Sequence, residues 1–214
     1  MRSITIIIIM TVISGALSGQ AMQDIKLNAP DMERGLTIMK AFEKRASATS
    51  YSDRELSLQD LSDLLWASNG INRPESSKRT APTAVNAQDI DIYVLMKSGA
   101  YLYDAIANTL KAIATGDNRK LVSDRQTNFA NAPVMLVLVS DISRFRGDDN
   151  ARKLSWAAMD AGIVSQNISL FCAATGMVTR PRASMDFEGL KKLLSLRESQ
   201  HALLNNPVGY PVPE

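Results

Sequence analysis

Apolar residues recur along this chain at several spacings, and each spacing predicts its own kind of element. Between Ser57 and Gly70, Leu58, Leu61, Leu64, Leu65 and Trp66 return every few positions, which places them on one helical face turned to a core. Ser57 with Asp60 is close to a capping box, and Asn69-Gly70 supplies the stop. A longer helix is predicted from about Asn150 to Thr175, ended by Gly176. Ala157, Ala161, Val164, Ile168 and Phe171 form its apolar stripe, and Ala158, Gly162, Ser165 and Ser169 form a second stripe of small residues. Met32, Leu36, Met39, Ala41 and Phe42 predict a helix over Asp31 to Lys44 with Asp31 as N-cap, and a shorter helix is predicted from Phe187 to Leu196.

The strand signals differ from these. "IDIYVLMK", "SGA" and "YLYD" predict a hairpin from Ile90 to Asp104. "APVMLVLVSD", Ala132 to Asp141, is a continuous apolar run, as in a strand buried on both faces. "HALLNNPVGYP" predicts a closing strand, whereas "TLKAIATG" reads as a helical turn. "INRPESSKRTAPTAVNAQD" has no apolar period and reads as a loop of about twenty residues, a length that tends to go with function. Helices and strands mix without regular βαβ alternation, so the predicted class is α+β around a central sheet.

The N-terminus has a separate meaning. Arg2 precedes an apolar run from Ile4 to Ile13, and Gly19 and Ala21 stand at the spacing a signal peptidase reads. Residues 1–21 are therefore expected to be a signal peptide and 22–214 one domain, exported and periplasmic. The apolar run is short for a span, which needs about 20 apolar residues, and no stable membrane span is expected after cleavage.

At 214 residues and 45% hydrophobic, the chain can bury one good core. Its 24 basic and 22 acidic residues are well mixed, which argues against a nucleic-acid footprint. The single cysteine, Cys172, excludes an internal disulfide and any multi-cysteine metal site; it lies in an apolar helix and reads as a buried hydrophobe. The single histidine, His201, removes His-rich metal sites and a His-based triad from consideration. No metal site and no catalytic side chain is predicted.

Four segments occur in an order that resembles the FMN-dependent nitroreductase family, small exported bacterial members in particular: "KRASATSY", "RTAPTAVNAQDIDIYVL", "AGIVSQNISLFCAATGMVTRPRASMD" and "LLNNPVGYP". The resemblance runs from about Asp31 to Pro211 and implies a mostly antiparallel central sheet flanked by helices, in a homodimer with FMN at the interface. It puts Arg45, Ala46 and Ser47 on the flavin phosphate and ribityl chain, a role that suits a guanidinium with its planar charged donors. Pro82, Thr83, Ala84 and Asn86 match the loop that lines the flavin. Gln126 or Asn128 falls where relatives place an amide on its pyrimidine edge. Ala183 and Ser184 fall where backbone N–H groups reach the flavin N5 in relatives, which often carry Glu-Gly there.

The chemistry implied is ping-pong two-electron transfer between a small-molecule donor and an electron-poor acceptor, a nitroarene or quinone, with the cofactor supplying the reaction. Two readings stand beside it: a non-catalytic relative that has lost flavin, and an oxidative tailoring enzyme of a peptide or small metabolite. Thr49 stands where many relatives have a basic residue, and "GYPVPE" lacks the basic residues that often follow this turn. Arg180 and Arg182 are the candidates to replace that charge.

Overall fold

A computed structural model describes residues 22–213; the expected signal peptide, 1–21, lies outside the described residues. In chain order the elements are β1 (Ile25–Lys26), α1 (Ile38–Lys44), α2 (Leu58–Asn69), β2 (Ile71–Arg73), β3 (Lys78–Arg79), β4 (Ile90–Met96), β5 (Gly99–Asp104), β6 (Thr109–Thr115), α3 (Lys120–Ser123), β7 (Val134–Asp141), α4 (Asn150–Thr175), β8 (Val178–Thr179), α5 (Phe187–Leu193) and β9 (Gln200–Gly209). Seven strands make one antiparallel sheet in the order β1-β6-β5-β4-β7-β9-β8.

β7 sits inside that sheet between β4 and β9, and every one of its residues is buried. Side chains alternate across a strand, so β7 serves two cores. Val134, Leu136 and Leu138 join Ile92 and Val94 against Leu61, Leu64 and Leu65 of α2 and Ala161, Val164 and Ile168 of α4. Met135, Val137 and Val139 join Tyr93 and Leu95 against Val122, Leu190 and Leu194 on the opposite face. The apolar run of Ala132 to Asp141 is thus explained by a layer of helices on each side.

The two clearest helices follow their sequence signals. The Ser57 hydroxyl accepts the Asp60 N–H at 3.0 Å at the head of α2, and α4 ends on Gly176 in the left-handed region (φ 76°). Leu58 departs from its expected place, being 42% exposed.

Four other expectations need correction. "TLKAIATG" is not a helical turn: it forms β6, where Leu110 pairs with Tyr103 and Lys111 with Leu102. Buried Leu110 against exposed Lys111 and Ile113 gives it the alternation of a half-buried strand. The Asp31–Lys44 helix begins only at Ile38, because Gly35 at φ 98° breaks the run and the Asp31 N–H and carboxylate bond Asp63 and Glu33 instead. The segment from Ile71 is not one loop but a short β2–β3 hairpin followed by a tight turn at Ala84–Asn86. The last helix, α5, stops at Leu193.

Met32, Leu36, Met39 and Phe42, whose spacing predicted a helix, are 46–73% exposed, and so is Ile38. α1 packs on α4 through Ala41 and leaves the large apolar side chains of Ile38, Met39 and Phe42 in the open.

Candidate functional site

The polar corner after α1 is fixed through its backbone. Ala48 donates its N–H to the Thr179 carbonyl at 2.9 Å, and Ser47 forms an isolated parallel bridge with Thr179. Arg45, Ala46 and Ser47 are exposed, and among the described residues neither the Arg45 guanidinium nor the Ser47 hydroxyl has a hydrogen-bond partner. A cation and a hydroxyl are therefore presented uncommitted on a stretch whose main chain is held.

Asn128 reaches the same corner, its amide donating to the Thr49 carbonyl at 3.3 Å. Gln126 lies beside it, with its amide oxygen accepting from Arg182 Nε at 3.2 Å. The crossing after β8 closes the cluster: Arg182 exchanges both backbone hydrogen bonds with Asn205, and the Asn205 amide donates to the Ser184 carbonyl at 3.0 Å. Ala183 and Ser184 are exposed, and among the described residues nothing accepts from their N–H groups. Ser184 has no positive φ, so a side chain at this position carries no left-handed strain.

Arg182 does not replace the charge missing at Thr49. It is buried, and its guanidinium donates to the Val122 carbonyl (3.0 Å), the Ser123 carbonyl (3.4 Å), Asn205 Oδ1 (3.0 Å) and Gln126, with its Cζ 4.5 Å from the centroid of the Phe129 ring. Its work is to tie the 122–129 segment to β9. Arg180, half-buried with its Cζ 5.8 Å from the same ring centroid, is the freer cation.

Pro82, Thr83, Ala84 and Asn86 lie elsewhere. The Ala84 N–H donates to both oxygens of Asp160 on α4, at 2.9 and 3.1 Å, and the Thr83 hydroxyl accepts the Gln88 N–H at 2.9 Å. Asp160 and Gly176 are separated by about 24 Å of helix at a rise of 1.5 Å per residue. The loop is therefore anchored near the middle of α4, whereas the 45–47 corner is fixed to Thr179, just beyond the C-terminus of that helix. The structure brings together Arg45, Ala46, Ser47, Gln126, Asn128, Ala183 and Ser184 but not the 82–86 group.

That loop is strained. Val85, Asn86 and Gln88 have φ of 47°, 55° and 49°, a region that costs non-glycine residues about 1 kcal/mol or more each. Beneath it Asp89 and Asp160 are both buried and close enough to couple. Burial above all, then Asp160, raises the Asp89 carboxyl well above the usual range, against the pull of a 2.5 Å hydrogen bond from Ser140. No spacing rule pairs positions 89 and 160, so neither this contact nor the tie made by Arg182 is legible before the chain is folded.

An antiparallel sheet between two helical layers, with uncommitted donors at its edge and no nucleophile–base pair among the predicted site residues, defines a protein suited to binding a cofactor that carries its own chemistry. The nitroreductase family model matches residues 42–210, and the chain belongs to the nitroreductase family. Membership marks it as an oxidoreductase, in a family whose members generally bind flavin.

A Methanocaldococcus jannaschii protein provisionally named a nitroreductase is 25% identical over 194 residues, covering 86% of this chain and 96% of its own. A crystal structure of a Ralstonia eutropha protein of the same provisional name superposes with a TM-score of 0.81 at 28% identity, covering 92% of this chain and 93% of that one. The fold is also shared with a chain of the Escherichia coli microcin synthetase McbBCD complex, at a TM-score of 0.70 and 19% identity over 80% of this chain and 70% of that one.

Proposed function

We propose that this protein is a homodimeric, FMN-dependent oxidoreductase that passes two electrons from a small-molecule donor to an electron-poor acceptor such as a nitroarene or quinone. The observation that carries the reading is the convergence of Arg45, Ser47, Gln126, Asn128 and the free N–H groups of Ala183 and Ser184 on one corner of the sheet. This donor set suits FMN. A guanidinium and a hydroxyl match a phosphate, amides match a pyrimidine edge, and unpaired N–H groups match ring nitrogen acceptors. FMN bound there would supply the electron transfer, in two half-reactions with donor and acceptor in turn.

The chain's own residues orient and enclose. Arg45 and Ser47 would hold the phosphate, with Arg180, next in the chain to the Thr179 that Ser47 bridges, as an additional cation. Ala183 and Ser184 would fix the ring, and Arg182 keeps the amide segment in register. Pro82 to Asn86, which among the described residues makes no hydrogen bond to that corner, is supplied by a second copy in this reading. The exposed Met32, Leu36, Ile38, Met39 and Phe42 support that dimer, since large apolar side chains left in the open close together in the chain suit an interaction surface.

The test is a visible absorption spectrum of residues 22–214 purified without added flavin, together with a sedimentation measurement of mass. Flavin bands in a dimer support the reading; a colourless protein that also refuses added FMN refutes it and leaves a non-catalytic relative. Thr49, with no cation in its place, is the observation that favours this second reading. We further propose that the protein is exported. Its recovery from the periplasm with Met22 at the N-terminus is the expected result, and a cytoplasmic full-length chain the contrary one.

A further inference from the structure

Beside the strained loop lies a cavity of about 560 Å³ lined by Val85, Asn86, Ala87, Arg144, Arg146 and Trp156. We propose that it binds a planar aromatic carboxylate, with the ring between Val85 and Trp156 and the acid on Arg146. This assigns a substrate class to the proposed oxidoreductase, and it rests on the reading that the 82–86 loop borders the flavin.

The first argument comes from the loop. Its left-handed residues are locked from several sides: Asp160 on the Ala84 N–H, Thr83 on the Gln88 N–H, Arg144 on the Gln88 carbonyl at 2.8 Å and Arg79 on the Gln88 amide oxygen at 3.1 Å. What this arrangement achieves is to hold Val85, a β-branched residue in a region it disfavours, 72% exposed at the cavity. Strain held in place by so many contacts marks a position whose geometry matters. The facing wall is aromatic. Trp156 is half-buried and braced by Phe145, with ring centroids 5.6 Å apart. Val85 and the Trp156 indole supply apolar surface within a lining that Asn86, Arg144 and Arg146 otherwise make polar.

The second argument is charge. Arg144 is neutralised by Asp91, with contacts of 2.6 and 3.0 Å, and so forms part of the wall. Arg146 is exposed and forms no ion pair with any described residue. Of the acidic residues that follow it, Asp149 is engaged in the first turn of α4, accepting the Arg152 N–H at 3.0 Å, and Asp148 does not line the cavity. One uncommitted guanidinium beside an indole face, in an otherwise polar lining, selects a planar anion over its neutral isostere.

The experiment is isothermal titration calorimetry of the purified protein with 4-nitrobenzoate and with its neutral isostere 4-nitrobenzamide. We expect the carboxylate to bind at least tenfold tighter. Arg146→Gln should shrink the gap to under twofold while leaving the amide's affinity in place, and Arg146→Lys should retain part of it. Equal affinities in the native protein, or a gap that survives Arg146→Gln, overturn the proposal. The flavin bands of the same sample separate the two readings. A carboxylate preference without flavin bands supports the cavity and counts against the flavin, and bands without a preference do the reverse.

Discussion

Replacing Arg182 with alanine tests whether the amide corner is tied to β9 by this one side chain. Truncation leaves the Val122 carbonyl and Asn205 Oδ1 without the donor each accepts from at 3.0 Å, in a place where Arg182 and Asn205 are buried. Each stranded acceptor costs about 1–3 kcal/mol, and the lost approach to Phe129 adds about 1 kcal/mol. The Ser123 carbonyl adds little, because it also accepts the Gln126 N–H. The expected loss is therefore about 3–7 kcal/mol, a fall in melting temperature of at least roughly 6 °C at 2–4 °C per kcal/mol for a domain of this size. Arg182→Lys keeps the charge but cannot fork between Val122, Asn205 and Gln126, so it should recover less than half of the loss. Urea denaturation followed by intrinsic fluorescence and far-UV circular dichroism gives the number. A loss below about 1 kcal/mol for the alanine variant, or a lysine variant equal to the native protein, would refute the account of Arg182 as a tie.

Other positions give further tests. Burial opposes ionisation of Asp60, but hydrogen bonds from Tyr210 and Ser57 and the Arg34 ion pair outweigh it and hold the carboxyl at about 2. Because that value lies below the unfolded one, Asp60 adds stability above about pH 4 that fades as the pH falls toward 2. Asp60→Asn should cost about 1–2 kcal/mol at pH 7 and nothing near pH 2 in acid and urea titrations. Asp89 has the opposite sign: a raised folded value means its contribution is lost as pH rises. Asp89→Asn, which can still donate to Asp160, should stabilise the protein at pH 8 by about 1 kcal/mol or more and leave it unchanged at pH 4. At Gly176 an added Cβ meets nothing within 4 Å, so Gly176→Ala should cost only the left-handed strain of about 1 kcal/mol.

Much of the fold was legible because its signals are local. The Ser57 cap, the Gly176 stop and the alternating runs around β4 and β5 each act within a few residues. What escaped was set by distant partners. "TLKAIATG" carries alanines that suit a helix, but pairing with β5 on one edge and β1 on the other decides its form. The Asp31–Lys44 pattern was apolar for a reason other than the core, since most of those side chains remain outside it. Periodicity reports that a face is apolar and does not report what covers it.

The site divides along the same line. The 45–47, 126–128 and 183–184 segments come from three parts of the chain, yet backbone bonds to Thr179 and Thr49 and the Arg182 and Asn205 side chains gather them at one corner. The 82–86 loop is fastened to the middle of α4 by Asp160 and packs on the α4 side of the sheet, whereas Ala48, Phe129 and Met185 pack on the other. The two groups lie against different faces of the sheet, so in the proposed reading a single ligand that uses both takes them from two chains related by a two-fold axis. The apolar face on α1 is the surface that such an arrangement has to hide. Charging it, as in Met39→Glu with Phe42→Glu, should therefore yield a folded monomer and weaken flavin binding at the same time. Loss of the dimer with flavin affinity intact would show that one chain suffices and that the loop serves another purpose.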